Sequence, residues 1–361
     1  MKKWEEHYRP RVVSAAEAAA RVENGQRVFL DGNAALPWKL VEALIARDPE
    51  LEGVELNHLL VFGDDPFGGC TGMRNNAWFL GPGVRNAVNQ GSADYIPIFL
   101  SEIAGLVRGG DWPIDVALIH VSPPDRYGFM SFGIEVSVTK TCSEAAKLVI
   151  AQVNQHMPRT LGDSFVHVSD VDLFVEVDEP LLALPAGESS PVEMKIGAHV
   201  AGLIEDGATL QMGIGGIPNA VLAQLGEKND LGIHTEMFSN GILHFLEAGV
   251  ITNLKKGFHR GKILSSFAMG SRDLYEYIDN NPIFEFRPSH YINDPFVIAQ
   301  NERMTAVNSA IEVDLTGQVC ADSIGEKIYS GIGGQVDFIR GASRSAGGMP
   351  IIAQPSPANG G

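Results

Sequence analysis

Short β-branched runs alternate with Ala-, Leu- and Glu-rich amphipathic stretches along most of the chain. "QRVFLDG" precedes "WKLVEALIARD", "DVALIHVSPP" precedes "CSEAAKLVIAQVN", and "ATLQMGIGG" precedes "NAVLAQLGEK". Strand-length apolar runs followed by helix-period segments predict an α/β protein with largely parallel, buried strands. The alternation breaks at "DEPLLALPAGESSPVEM" (178–194), where prolines, a glycine and a Ser pair intervene before a helix predicted to start near Glu193. A chain of 361 residues exceeds what one compact core usually holds. The break therefore divides it into an N-terminal α/β domain, 1–185, and a C-terminal α/β domain, 192–361.

The two sides share a faint repeat. "NGQRVFLDGNAALPWKLVEAL" (24–44) aligns with "DGATLQMGIGGIPNAVLAQL" (206–225) across one gap. In each, a strand ends in glycine (Gly32, Gly213), a proline follows (Pro37, Pro218) and a helix begins, because glycine permits the tight turn and proline suits the first helical turn. A duplicated topology follows from this. Continuing the alignment sets Asn57 of "GVELNHLL" opposite Glu236 of "LGIHTEMF", an amide in one half where the other has an acid.

Composition narrows the function by exclusion. The formal charge is −17, with no Lys/Arg cluster dense enough to track a phosphate backbone, so nucleic acid is not an expected partner. An acidic protein that takes an anionic ligand must hold it with local backbone donors or a few placed cations. Three dispersed cysteines suggest neither a disulfide framework nor a zinc cage. The N-terminus "MKKWEEHYRP" is no secretory signal and no apolar run reaches spanning length, so the expectation is a cytoplasmic protein without a membrane segment.

The glycine-rich stretches are where anion chemistry could reside. "MGIGGIPNAV" (212–221) sets Gly213, Gly215 and Gly216 between a strand and a helix, and "YSGIGGQVDFIRGA" (329–342) repeats the theme with Gly331, Gly333 and Gly334. Each reads either as a tight packing turn or as a cradle of amides for an anion or oxyanion. The first resembles a dinucleotide fingerprint, but Pro218 stands where its third glycine belongs, which argues against an NAD-dependent dehydrogenase. Glu236, between Ile233 and Phe238, reads either as a helix-start carboxylate after Thr235 or as a reactive acid held among apolar neighbours. "HVSPPDRYGFMSFG" (120–133) reads as a strand end with a rigid loop, and Ser131 in it lacks the G-x-S-x-G context of a hydrolase nucleophile. His234 and His244 lack zinc spacing and Asp64 and Asp65 lack calcium-loop periodicity, so no metal is assigned.

Six segments, taken in order, resemble the acetyl-CoA hydrolase/transferase family. They are "GPGVRNAVNQGSADYIPIFLSEI", "DVALIHVSPPDRYGFMSFG", "AAKLVIAQVNQHMPRTLGDSFVHVSDVD", "LQMGIGGIPNAV", "LGIHTEMFSNG" and "SGIGGQVDFIRGA". Within the family, the likeness is to CoA-transferases acting on 4-hydroxybutyrate, butyrate and acetate. The resemblance implies two open α/β domains with the active site between them, Glu236 as the catalytic glutamate, and the two glycine loops binding CoA and holding the thioester oxygen. It also implies a site asparagine, matched by Asn308 in "MTAVNSAIEVD". No permanently bound cofactor is implied; coenzyme A and acyl-CoA are substrates, exchanged with short-chain carboxylates through a glutamyl-CoA thioester, and a homodimer is typical. Relatives generally continue past a segment like "PIIAQPSPANGG", so a missing tail with further lining residues is expected. Alternatives from the same residues are an acyl-CoA hydrolase using Glu236 and a non-catalytic acyl-CoA-binding protein.

Overall fold

The computed structural model describes residues 3–356 apart from positions 185, 186, 188 and 214. The first apolar run forms the strand Arg27–Leu30, inside a seven-stranded sheet whose spatial order is 94–95, 73–77, 54–58, 27–30, 116–121, 148–154, 173–177. All its pairings are parallel. Val116–Val121 is buried at every position, as expected of a strand flanked on both edges and covered on both faces. One expectation fails here. "CSEAAKLVIAQVN" is not a single helix: the helix Thr139–Ala145 ends within its first four residues, and Leu148–Asn154 is a strand paired with both 116–121 and 173–177. Val149, Ile150 and Val153 suit an enclosed strand, and that tertiary pairing outweighs the helix-like spacing.

A second parallel sheet follows in the order 232–233, 209–212, 304–309, 349–353. In both sheets the first strand of the repeat lies inside, between the strand that follows it (54–58 or 232–233) and a later crossover strand (116–121 or 304–309). Gly32 is required at its turn, since a Cβ there would sit 2.9 Å from the Leu60 carbonyl oxygen. Between the units, Pro185, Ala186 and Glu188 of the expected linker lie outside the described residues. The helix after it, Pro191–Leu203, is started by a reciprocal box of Ser190 and Glu193, with proline in its first turn.

Each half has an apolar cluster of its own, around Val28, Leu40 and Leu56 in the first and Leu264, Ile298 and Phe338 in the second, and a larger one joins them. The larger cluster runs from Phe29, Ile119 and Phe132 to Leu210, Ile233 and Phe238. Polar contacts reinforce it: Ser101 donates to the buried carboxylate of Asp337 through its amide (3.1 Å) and hydroxyl (2.8 Å), and Glu135 bridges antiparallel to Phe267.

Candidate active site

Glu236 sits at a bend between the strands Gly232–Ile233 and Met237–Phe238, and the first helical residue beyond it is Asn240. It is not a helix-start carboxylate. The preceding Thr235 hydroxyl donates to the carbonyls of Met212 (3.3 Å) and Met237 (3.0 Å) instead of capping a helix amide. The Glu236 carbonyl accepts from the amides of Ser266 (2.9 Å) and Phe267 (3.1 Å) and from the Ser265 hydroxyl (3.0 Å). Its backbone is thus held on several sides while its side chain turns toward a cavity. His234 is part of this scaffold: Asn301 Nδ2 donates to its Nδ1 (2.9 Å), so its Nε2 donates to the Ile292 carbonyl (2.8 Å). Burial lowers its pKa to about 3, which keeps it neutral.

The Glu236 carboxylate accepts from Asn293 Nδ2 at 2.7 Å. Burial raises its pKa to about 7, the Asn293 bond acts against that, and the charge of Asp337 adds to it. A carboxylate so placed is a stronger base and nucleophile than one in water, and is ionised only from near neutrality upward.

The cavity beside it has a volume of about 480 Å³ and is lined by both halves. Asn33, Leu59, Leu60, Phe79 and Leu100 come from the first; Met212, Gly213, Met237, Phe267 and Asn308 are among those from the second. Asn308 and Gln211 face each other on adjacent strands, with Asn308 Nδ2 donating to Gln211 Oε1 at 3.0 Å. The second glycine loop crosses the opening. Leu80 and Leu100 amides donate to the carbonyls of Ser330 (2.9 Å) and Gly333 (3.1 Å), and the Ile332 amide donates to the Tyr95 hydroxyl (3.0 Å). These bonds pin the loop to the first half. Gly334 then passes so close to Glu236 that a Cβ on it would collide with Glu236 Oε2 and Asn293 Nδ2. It also caps the ten-residue helix Gln335–Arg344, whose positive end therefore opens onto the cavity. The amides of Gly331 and Gly334 have no acceptor among the described residues, and Gly333 forms a parallel bridge with Phe99.

The structure thus brings Gly213, Gly331, Gly333, Gly334 and Asn308 around Glu236, and leaves Gly215 and Gly216 elsewhere. Those two line a neighbouring cleft with Asn219, Ser239 and Asn240. The Glu193 carboxylate lies against Gly216, where a Cβ would strike it, so that face of the loop is already taken by an acid of this chain. Ile214 lies outside the described residues. Residues not anticipated from the sequence are Asn293, Asp337, Asn33 and Glu135. Asn33 carries a signal that could have exposed it: it follows Gly32 in the repeated turn and has a left-handed φ of 53°. Glu135, a lone acid in the apolar run "SFGIEVSV", carries the same signal as Glu236 itself.

Known proteins resemble this chain along most of its length. The N-terminal domain model of acetyl-CoA hydrolase/transferase matches residues 1–184, and the C-terminal domain model matches residues 270–361. A 4-hydroxybutyrate coenzyme A transferase of Clostridium kluyveri is 49% identical over 98% of this chain and 83% of its own length. A succinyl-CoA:acetate/propanoyl-CoA:succinate CoA transferase of Fasciola hepatica is 45% identical over 93% of this chain and 71% of its own. The crystal structure of a 4-hydroxybutyrate CoA-transferase from Porphyromonas gingivalis superposes with a TM-score of 0.86 at 39% identity, covering 99% of this chain and 84% of that one. A buried glutamate facing a glycine loop across a two-unit α/β cleft, in a chain matched along this much of its length, makes the protein an enzyme that belongs to the acetyl-CoA hydrolase/transferase family.

Proposed function

We propose that the protein is a CoA-transferase that moves CoA between a short-chain acyl-CoA and a free carboxylate, with Glu236 as the nucleophile. The observation that carries this reading is the Glu236 carboxyl group itself, its pKa raised to about 7 by burial, facing a cavity lined by the Gly331–Gly334 loop.

The chemistry follows from that placement. A Glu236 oxygen attacks the thioester carbonyl; the C–S bond breaks, CoA leaves as thiolate, and a mixed anhydride remains on the side chain. The thiolate then attacks the Glu236 carboxyl carbon. The anhydride C–O bond breaks, the acyl group departs as a carboxylate, and Glu236 holds CoA as a thioester. A second carboxylate runs the steps in reverse. One negative charge passes from side chain to product, and no proton or water is consumed.

Each tetrahedral stage places an oxyanion beside the Gly331–Gly334 amides, Asn308 and the helix end at Gly334. A single well-placed donor of this kind lowers such a barrier by roughly 3 kcal/mol. Met212, Met237, Phe267 and Met269 line the same cavity; an apolar wall of this kind favours transfer over hydrolysis by excluding water from the anhydride.

The test is an assay with butyryl-CoA and acetate that follows acetyl-CoA and free thiol separately. Transfer predicts acetyl-CoA as the main product, with parallel-line initial-rate kinetics. Thiol release independent of acetate would instead identify a hydrolase acting through the same residue.

A further inference from the structure

The cavity that holds Glu236 has no cationic side chain among its described lining residues. Its walls are apolar or carry neutral amides, chiefly Asn33, Gln211 and Asn308. Behind Asn33 stands a second acid. Glu135 is 1% exposed, and its carboxylate accepts from Asn33 Nδ2 and from the Ser137 hydroxyl. Both partners are neutral.

Its position is set by backbone pairing. The Val136 amide donates to the Ser266 carbonyl (3.0 Å) and the Ala268 amide to that of Ile134 (2.9 Å), so Glu135 lies beside Phe267, whose own amide donates to the Glu236 carbonyl (3.1 Å). Further acids surround this wall. Asp31 is held beyond it by the His120 amide (3.0 Å), the Gly32 amide (2.9 Å) and the Thr139 hydroxyl (2.8 Å), and the charge of Asp337 acts on Glu236. Arg340, whose field reaches Asp337, lies over the Phe99 ring and does not line the cavity.

On the reading that this site transfers CoA, we propose that it accepts acyl groups with an uncharged chain, apolar or hydroxyl-tipped, and rejects dicarboxylic ones, with Glu135 setting that preference through Asn33. A succinyl tail would lose its water without gaining a counter-ion among the described lining residues, and would do so in the field of Glu135. A butyryl chain only buries apolar surface, and a 4-hydroxybutyryl hydroxyl can exchange water for the Asn or Gln amides. Overall similarity does not decide the matter, since relatives of this chain are named for both kinds of substrate. The charge of the walls does.

The experiment compares kcat/KM for butyryl-, 4-hydroxybutyryl- and succinyl-CoA, donors of matched chain length, with acetate as acceptor at about pH 8, where Glu135, raised to about 7 mainly by burial, is ionised. Succinyl-CoA is expected to be at least about 100-fold poorer than butyryl-CoA. Glu135→Gln, which keeps shape and removes charge, is expected to narrow that ratio about 10-fold. A simple loss of packing would lower all three donors together and leave the ratio alone. Wild-type use of succinyl-CoA within about threefold of butyryl-CoA would overturn the proposal whether or not the variant folds, and so would an unchanged ratio in a folded variant. Failure to transfer from any donor would instead strike the transferase reading itself.

Discussion

Three influences act on Glu236: burial, which raises its pKa to about 7, the Asn293 amide, which opposes that rise, and the charge of Asp337, which adds to it. The anion is the attacking form, so protonation removes activity: kcat/KM should fall about tenfold per pH unit below about 7 and level off above it. Asn293→Leu removes a donor that favours the anion, so it should move this acid limb upward, by about one pH unit. A pH–rate profile checks both, and a limb that stays put or moves down in the variant would show that Asn293 does not govern the carboxylate. Glu236, a lone acid among Ile233, Met237 and Phe238, stands out in the sequence, but a helix-start carboxylate fits it equally well, and it is the family resemblance that implies a catalytic role. Glu135 met the same criterion and was passed over because no recognised motif surrounds it. Asn293 left no trace, since 57 residues separate it from the acid it binds and only the fold unites them.

At the scale of elements, the site depends on a loop of one half being tied to the other. Ser330, Ile332 and Gly333 are bonded to the 80–100 region, and this tether presses Gly334 against the glutamate. Gly334→Ala inserts a methyl group where Glu236 Oε2 and Asn293 Nδ2 already lie, so either the loop or the acid must move. A displacement of about 1 Å is enough to cost on the order of 100-fold in rate. The expected outcome is that loss in kcat with a melting temperature close to wild type; full activity would mean that the loop's approach is irrelevant. Strand–glycine–helix units were readable from composition and spacing, which is why both glycine loops could be located. Their roles were not readable in full. Gly215 and Gly216 look equivalent to Gly213 in sequence, yet they line a neighbouring cleft, with the Glu193 carboxylate against Gly216. Likewise the helix spacing of "CSEAAKLVIAQVN" ran on into a strand, because pairing partners at 116–121 and 173–177 are set by chain far outside any local window.

At the scale of the whole molecule, buried acids cluster where the halves meet, and their ionisation works against the fold. Glu135 has its pKa raised from 4.5 to about 7, chiefly by burial. A raised folded-state value means that stability from this group is complete below pH 4.5 and is lost as pH rises through about 7. Wild type should therefore lose up to about 3 kcal/mol more than Glu135→Gln between mildly acidic and mildly alkaline conditions. Denaturant titrations across that range measure the difference, and parallel curves would contradict it. The α/β class and the parallel sheets could be read from periodicity. Their shared core could not, because it is assembled from side chains such as Phe29, Ile119, Ile233 and Phe238 that no repeat aligns. The central claim, that Glu236 becomes covalently joined to CoA, is tested most directly by intact-protein mass spectrometry after exposure to butyryl-CoA without an acceptor. Wild type should gain the mass of CoA less water, discharged on adding acetate, and Glu236→Gln should gain nothing. An adduct of that mass on the variant, or its absence from an active wild-type enzyme, would contradict the account.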